Sequence, residues 1–253
     1  LRYGGVNELL STFTILDAEM RKIEEEEQQR ITSSEVNDVI SRWGHYRGKK
    51  ITQDDVRLWL EQFGKPSKQR LMFRLLQKLH YYSNSFIREK LKELSVEIGL
   101  GKVMQHGKRK SDDILISYYD HIGKSGAKFA NLYADVADIY VGNICTKDSI
   151  VENIEDKKNI RAIVFVDDFV GTGESVLGYL SEIDELLGNY LKTKPEREIK
   201  IIFLSVVAYK DGWARLQKAK DKMSLEIETH YCELLDEADR VFSSHSKTYA
   251  NED

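Results

Sequence analysis

The sequence has few of the residues that cross-link a chain or bind metal ions. Only two of its 253 residues are cysteine, and Cys145 and Cys232 form no Cys-x-x-Cys motif. We therefore expect both to be free, buried thiols in a reducing cytoplasm. The six histidines form no His-x-x-x-His pair and no cluster with cysteine, which argues against a structural zinc site.

Long apolar runs are also missing. The longest, Ile201–Tyr209, has the length of a strand and is far shorter than the ~20 residues of a membrane span. No signal peptide is recognisable in a sequence that begins at Leu1. With 41% apolar and 32% charged residues, the composition is that of a soluble globular protein. We expect a cytoplasmic protein that does not bind membranes.

The charge is unevenly distributed, although the net charge is only −4. Between Arg42 and Lys92 there are 13 Lys and Arg against four Asp and Glu, a net charge of +9, so the remainder carries −13. Such a division predicts a basic module joined to an acidic one.

The basic part reads as helical. We expect an N-terminal helical segment over residues 1–30 and a small helical domain over residues 31–98. Its third helix carries four basic residues mostly off the apolar side: Lys68, Arg70, Arg74 and Lys78. Short helices with tight turns resemble a helix-turn-helix domain, possibly a winged one, whose third helix would contact nucleic acid. The alternative is a helical bundle with solvated Lys and Arg.

After a glycine-rich, basic linker over residues 99–113, the pattern changes to alternating strands and helices. Apolar runs such as Ile160–Val166 and Ile199–Val207 lack polar alternation, as expected of strands covered on both faces. Residues 114–253 are therefore predicted to form an α/β domain with a mostly parallel sheet. Ligands bind such sheets at the carboxyl ends of the strands.

One motif, Ile163–Ser175, has the sequence IVFVDDFVGTGES. An apolar strand runs into Asp167 and Asp168, and a loop of small and hydroxyl residues leads into a helix. Carboxylates accept hydrogen bonds from vicinal hydroxyls, and a glycine loop at a helix start offers N–H groups to phosphate. The motif predicts a ribose 5-phosphate site. The alternative is a helix N-cap beside two surface aspartates.

This motif resembles the PRPP-binding motif of the type I phosphoribosyltransferase fold. The resemblance covers about residues 111–235, and it implies that Asp167 and Asp168 hold the ribose 2′- and 3′-hydroxyls. The 5′-phosphate would bind the loop that consists of Val170, Gly171, Thr172, Gly173, Glu174 and Ser175.

The family also has a pyrophosphate loop after its first core strand. Here the candidate residues are Gly123, Lys124, Ser125 and Gly126, with Lys124 acting beside the aspartates as a catalytic group. The resemblance further implies Mg²⁺, held by ribose and pyrophosphate oxygens and few protein ligands. The implied reaction is displacement of pyrophosphate at ribose C1.

The sequence departs from active transferases in two places. Between Tyr140 and Asn159 the basic residues are Lys147, Lys157 and Lys158, so the basic lid of the family is short or missing. No base-binding hood is obvious, although Tyr209 and Trp213 follow a strand end and could stack on a base or lie in the core. Ligand binding is predicted, and catalysis stays open.

The combination of the two domains resembles phosphoribosyltransferase-like proteins of prokaryotic conflict systems, including effectors encoded beside retron reverse transcriptases. On this resemblance we expect an antiphage defence effector that binds PRPP or a related nucleotide. Its basic module would bind nucleic acid or a reverse transcriptase–nucleic acid complex, and the protein would be an oligomer or part of a complex. The alternatives are a PRPP-sensing transcription regulator without catalysis and a nucleotide-salvage phosphoribosyltransferase.

Overall fold

The structure, a computed structural model, describes residues 6–25, 30–43, 45–46, 48–100, 110–118, 126–241, 243 and 245–247. They form two compact units. One contains the residues up to Phe86 together with those from Glu237 on, and the other runs from Ile87 to Asp236. Within the described ranges, every helix is too short or too polar for a membrane span.

The first unit is mainly helical. Its elements are α1 (Val6–Glu25), α2 (Ser33–Trp43), a hairpin of β1 (His45–Tyr46) and β2 (Lys49–Lys50), α3 (Gln53–Glu61), α4 (Pro66–Lys78) and the start of α5 (Asn84–Glu97). The core is formed by one apolar side of each of three helices, with Val36, Val39 and Phe73 almost completely buried. The hairpin was not predicted, because strands of two residues show no periodicity.

Two helices of the first unit begin at capping boxes. The Thr52 hydroxyl accepts the Asp55 N–H, and the Asp55 carboxylate accepts the Thr52 N–H, which is a complete capping box. Thr32 and Glu35 make the same reciprocal pair before α2. A turn of four residues that contains Gly64, at φ 68°, joins α3 to α4.

The second unit is an α/β fold, as predicted. Its elements are β3 (Ile114–Tyr118), α6 (Gly126–Val136), β4 (Ile144–Cys145), α7 (Ile150–Asp156), β5 (Ala162–Val170), α8 (Glu174–Lys192), β6 (Lys200–Tyr209), α9 (Lys210–Lys220) and β7 (Ile227–Leu235). The five strands are parallel throughout, in the order β4-β3-β5-β6-β7.

Helices cover the sheet because its central strands are apolar on both faces. Leu115, Ile163 and Phe203 pack with α7, α8 and α9 in one core cluster. Their neighbours along each strand face the other way, where α6 packs against β3 and β5. The short elements β4 and α7 were not predicted, since two and seven residues carry too little periodic signal.

The boundary between the units falls at Phe86 and Ile87, whereas the sequence suggested a linker over residues 99–113. The reason lies in α5, most of which belongs to the α/β unit. Arg88 forms an ion pair with Asp135 of α6 at 2.5 Å. Residues 101–109 of the predicted linker lie outside the described residues.

Candidate functional site

The aspartate pair lies at the point where the strand order reverses. The chain leaves β3, forms β4 on one side of it, and returns to β5 on the other side. The last residue of β3, Tyr118, pairs with Val166, directly before Asp167. The carboxyl ends of β3 and β5 thus meet at the switch point, where open α/β sheets bind their ligands.

Strand β5 continues through the aspartates to Val170, four residues beyond the predicted strand end. Its register with β6 keeps the same offset from Ala162, which pairs with Lys200, to Val170, which pairs with Ala208. The register pairs Asp167 with Ser205, while Asp168 donates its backbone N–H to Asp167 Oδ1 at 2.9 Å. Asp167 and Asp168 are both half-buried at this end of the strand.

The loop after β5 leads directly into the N-terminus of α8. Gly173 has φ 82° and precedes the first residue of α8, so a left-handed residue turns the chain directly into the helix. The Thr172 Oγ1 accepts the Glu174 N–H at 3.4 Å, and the Gly173 carbonyl accepts the Leu177 N–H at 2.9 Å. Ser175 lies exposed in the first turn of α8. The N-terminus of this helix of 19 residues favours an anion beside the loop.

A glycine that the sequence pattern did not indicate packs closely against this loop. Gly212 is the third residue of α9, and a Cβ placed there would lie 1.9 Å from the Gly171 carbonyl oxygen and 3.0 Å from the Gly173 nitrogen. Conversely, a Cβ on Gly173 would lie 2.8 Å from the Gly212 oxygen. The first turn of α9 therefore packs backbone to backbone on the loop. No local pattern reveals such a contact, because it joins residues about forty positions apart.

A buried tyrosine lies near the aspartate pair. The Tyr179 hydroxyl lies 3.3 Å from the Tyr118 carbonyl oxygen and 3.4 Å from the Ser117 hydroxyl. Burial raises the Tyr179 pKa, and the nearby Asp167 charge adds to the rise. Tyr179 thus stays neutral and links α8 to the end of β3.

The predicted pyrophosphate loop cannot be located, because Gly123, Lys124 and Ser125 lie outside the described residues. Gly126 is described, and it is the buried first residue of α6. Tyr118, the last described residue before this segment, ends β3 and pairs with Val166.

The two aromatic candidates lie in different environments. Trp213 is 9% exposed and contacts Tyr231 edge-to-face at 5.0 Å between ring centroids, with Phe203 at 6.3 Å. Trp213 therefore lies in the core, which was one of the two alternatives that the sequence left open. Tyr209 is half-buried at the N-cap of α9.

The segment where the family carries its lid is short and structured. Lys157 donates to the Gly142 carbonyl at 3.0 Å and to Asn143 Oδ1 at 2.9 Å. Lys147 forms an ion pair with Glu182 of α8. Two of the three lysines in this segment are therefore engaged within the unit.

The basic helix α4 uses two of its four candidate residues for packing. Arg70 forms an ion pair with Glu35 of α2 at 2.7 Å, and Arg74 forms one with Glu19 of α1, also at 2.7 Å. Burial alone would raise the Glu35 pKa, but hydrogen bonds from Thr32 and Arg70 outweigh it and leave the pKa below its usual value. Lys68 and Lys78 are exposed.

A parallel five-stranded α/β sheet with an acid pair and a glycine loop at its switch point defines a phosphoribosyltransferase-like protein. The family model PRTase-CE matches residues 56–253, more than three quarters of the chain, so the chain belongs to the PRTase-CE family. Its sheet order and helices are those of an α/β protein of the type I phosphoribosyltransferase-like kind.

A search of curated proteins finds no match. Among solved structures, the AQ2163 protein from Aquifex aeolicus is similar, with 13% identity and a TM-score of 0.35. The similarity covers 74% of this chain and 86% of that one.

Proposed function

We propose that the cleft at the carboxyl ends of β3 and β5 binds PRPP or a related nucleotide through its ribose 5-phosphate group. The observation that carries this proposal is the placement of Asp167 and Asp168 beside the glycine loop at the switch point. The carboxylates would accept hydrogen bonds from the 2′- and 3′-hydroxyls. The N–H groups of the loop and the N-terminus of α8 would bind the 5′-phosphate.

Mg²⁺ would accompany a pyrophosphate-bearing ligand. Among the described residues, no group of three or more His, Cys, Asp or Glu could hold a metal ion. Mg²⁺ would instead be held mainly by ribose and pyrophosphate oxygens and by water, with few protein ligands. The ion would neutralise pyrophosphate charge, while the aspartates orient the ribose.

The reaction that fits this site is glycosyl transfer at ribose C1, and we propose that its control differs from that of lidded transferases. The engaged Lys147 and Lys157 favour a cleft that is not covered by a basic lid from this segment. Positioning of the ribose phosphate by the loop would be the main contribution of this unit.

For the biological setting we propose an effector of antiphage defence of the retron type. Support comes from the joining of a basic helical module to this domain, as in the phosphoribosyltransferase-like proteins of conflict systems. The engagement of Arg70 and Arg74 by carboxylates favours a protein partner over DNA for that module, and hence an effector over a DNA-binding regulator.

Isothermal titration with Mg-PRPP tests the site. Asp167→Asn/Asp168→Asn should weaken binding at least ~100-fold, because two hydrogen bonds to charged acceptors are each worth about 1.5–3 kcal/mol. The matched control, Asp156→Asn/Asp221→Asn, removes the same charge at exposed positions and should bind as wild type. Equal affinity of all three proteins would reject the site. Mass spectrometry of incubations with PRPP and nucleobases would then show whether transfer occurs.

A further inference from the structure

The helical unit contains an apolar groove that the ribose phosphate site does not use. The hairpin, α3 and the end of α4 enclose a volume of ≈ 650 Å³. Trp43, Val56, Trp59 and Leu76 line it with apolar surface, and Lys49 and Lys50 of β2 lie at its edge. Clefts of ~300–1,000 Å³ accept compact ligands or short segments, so this groove suits a few side chains.

The groove borders the core of its own unit, to which Trp43 and Val56 belong. Val36, Val39 and Phe73 are already buried by neighbouring helices. At the groove, by contrast, Leu79 is 51% exposed and Tyr46 is 48% exposed. Large apolar side chains left open beside a concave surface are typical of a binding surface.

The positive charge at the edge of the groove indicates that its ligand carries negative charge. Lys49 and Lys50 are exposed, and neither forms an ion pair with any residue that the structure describes. The one acid that lines the groove, Asp55, already accepts the Thr52 N–H and hydroxyl at 2.8 and 2.7 Å. A single carboxylate balances at most one of the two lysines, so the edge stays positive.

We propose that this groove binds a short segment of a partner protein in which carboxylates flank large apolar side chains. The apolar walls would bury the apolar side chains, and Lys49 and Lys50 would pair with the carboxylates, as in helix-in-groove recognition. Nucleic acid fits less well, because it requires a row of cations along its phosphates. In α4, Arg70 and Arg74 are held by Glu35 and Glu19 instead.

Selection of phage-displayed 16-residue random peptides on the full-length protein tests this proposal. We expect selected peptides to be rich in Asp and Glu next to Leu, Ile, Phe or Trp. By fluorescence anisotropy, their affinity should fall at least tenfold for Lys49→Glu/Lys50→Glu and for Leu79→Asp. The matched control Lys65→Glu/Lys68→Glu makes the same charge change at exposed positions of the same unit and should bind as wild type.

Three outcomes would overturn the proposal. One is a selection that yields no peptide dependent on Lys49 and Lys50, and another is equal binding of neutral or basic peptides. The third is a labelled 20-nucleotide single-stranded or duplex DNA that binds wild type and is lost in Lys49→Glu/Lys50→Glu, which would make the groove a nucleic-acid surface. Thermal unfolding of each variant, expected at the wild-type temperature, shows that the fold is retained.

Discussion

Replacement of Gly212 by alanine should weaken binding of the phosphate-bearing ligand, while the sheet still folds. The new Cβ would lie 1.9 Å from the Gly171 oxygen, whereas carbon and oxygen in close contact are about 3.3–3.6 Å apart. The loop and α9 would have to separate by roughly 1.5 Å. Trp213 packs on Phe203 and Tyr231, and Gln217 donates to Thr229, so α9 is anchored and the loop is the part that moves.

The size of the effect follows from this displacement. Overpacking of a well-packed contact costs typically ~1–3 kcal/mol. If binding requires the loop to return against that strain, the Kd for Mg-PRPP rises by about 5- to 150-fold, since 1.4 kcal/mol is tenfold. A misplacement of about 1 Å in a positioning element can have an effect of similar size.

The assay is isothermal titration of Gly212→Ala with Mg-PRPP, together with urea unfolding. Gly178 provides a matched control, because it lies in α8 and a Cβ there would meet nothing within 4 Å. Gly178→Ala should be more stable by about 0.4–1 kcal/mol and should bind as wild type. If Gly212→Ala folds and binds Mg-PRPP with wild-type affinity, the bracing of the loop by α9 is refuted.

Three further predictions concern the ion pair of α2 with α4 and the two cysteines. Glu35→Gln should lower stability more at pH 7 than at pH 3 in urea unfolding. The pKa of Glu35 in the folded protein lies below its usual value of 4.5. The stabilisation that its carboxylate provides is therefore present above pH 4.5 and is lost as the pH falls through the folded pKa. An equal loss of unfolding free energy at both pH values would contradict this. Arg70→Ala should destabilise the protein by about 1–3 kcal/mol without reducing DNA affinity. A loss of DNA affinity without a loss of stability would instead support a nucleic-acid role for α4. Burial raises the pKa of Cys145 to about 11 and that of Cys232 to about 12. The thiols of the native protein should therefore react with Ellman's reagent at pH 8 far more slowly than those of the urea-unfolded protein. Equal rates would show that the native thiolates are exposed.

Much of the α/β unit follows from the sequence, because strands covered on both faces leave uninterrupted apolar runs. The runs at Ile160–Val166 and Ile199–Val207 correspond to β5 and β6. The end of β5 was placed too early, because aspartates normally end a buried strand. Here Asp167 and Asp168 are only half-buried at the carboxyl end of the central strand, and the strand passes through them.

Contacts between distant segments are what the sequence could not predict. Arg70 and Arg74 lie off the apolar side of α4, and only the packing of α1 and α2 supplies their carboxylate partners. The role of Gly212 depends on the approach of α9 to the loop. The core position of Trp213 depends on Tyr231 of β7. None of these contacts leaves a local periodic signal.

Recognition of a ribose 5-phosphate group at the end of β5 is tested most directly by an NMR titration. Backbone amide resonances of the full-length protein, labelled with ¹⁵N, would be followed as Mg-PRPP is added. We predict the largest shifts for the amides of Gly171, Thr172 and Gly173 and for the first turn of α8, with no such shifts in Asp167→Asn/Asp168→Asn. Unchanged loop resonances at saturating Mg-PRPP, or shifts confined to the helical unit, would contradict it.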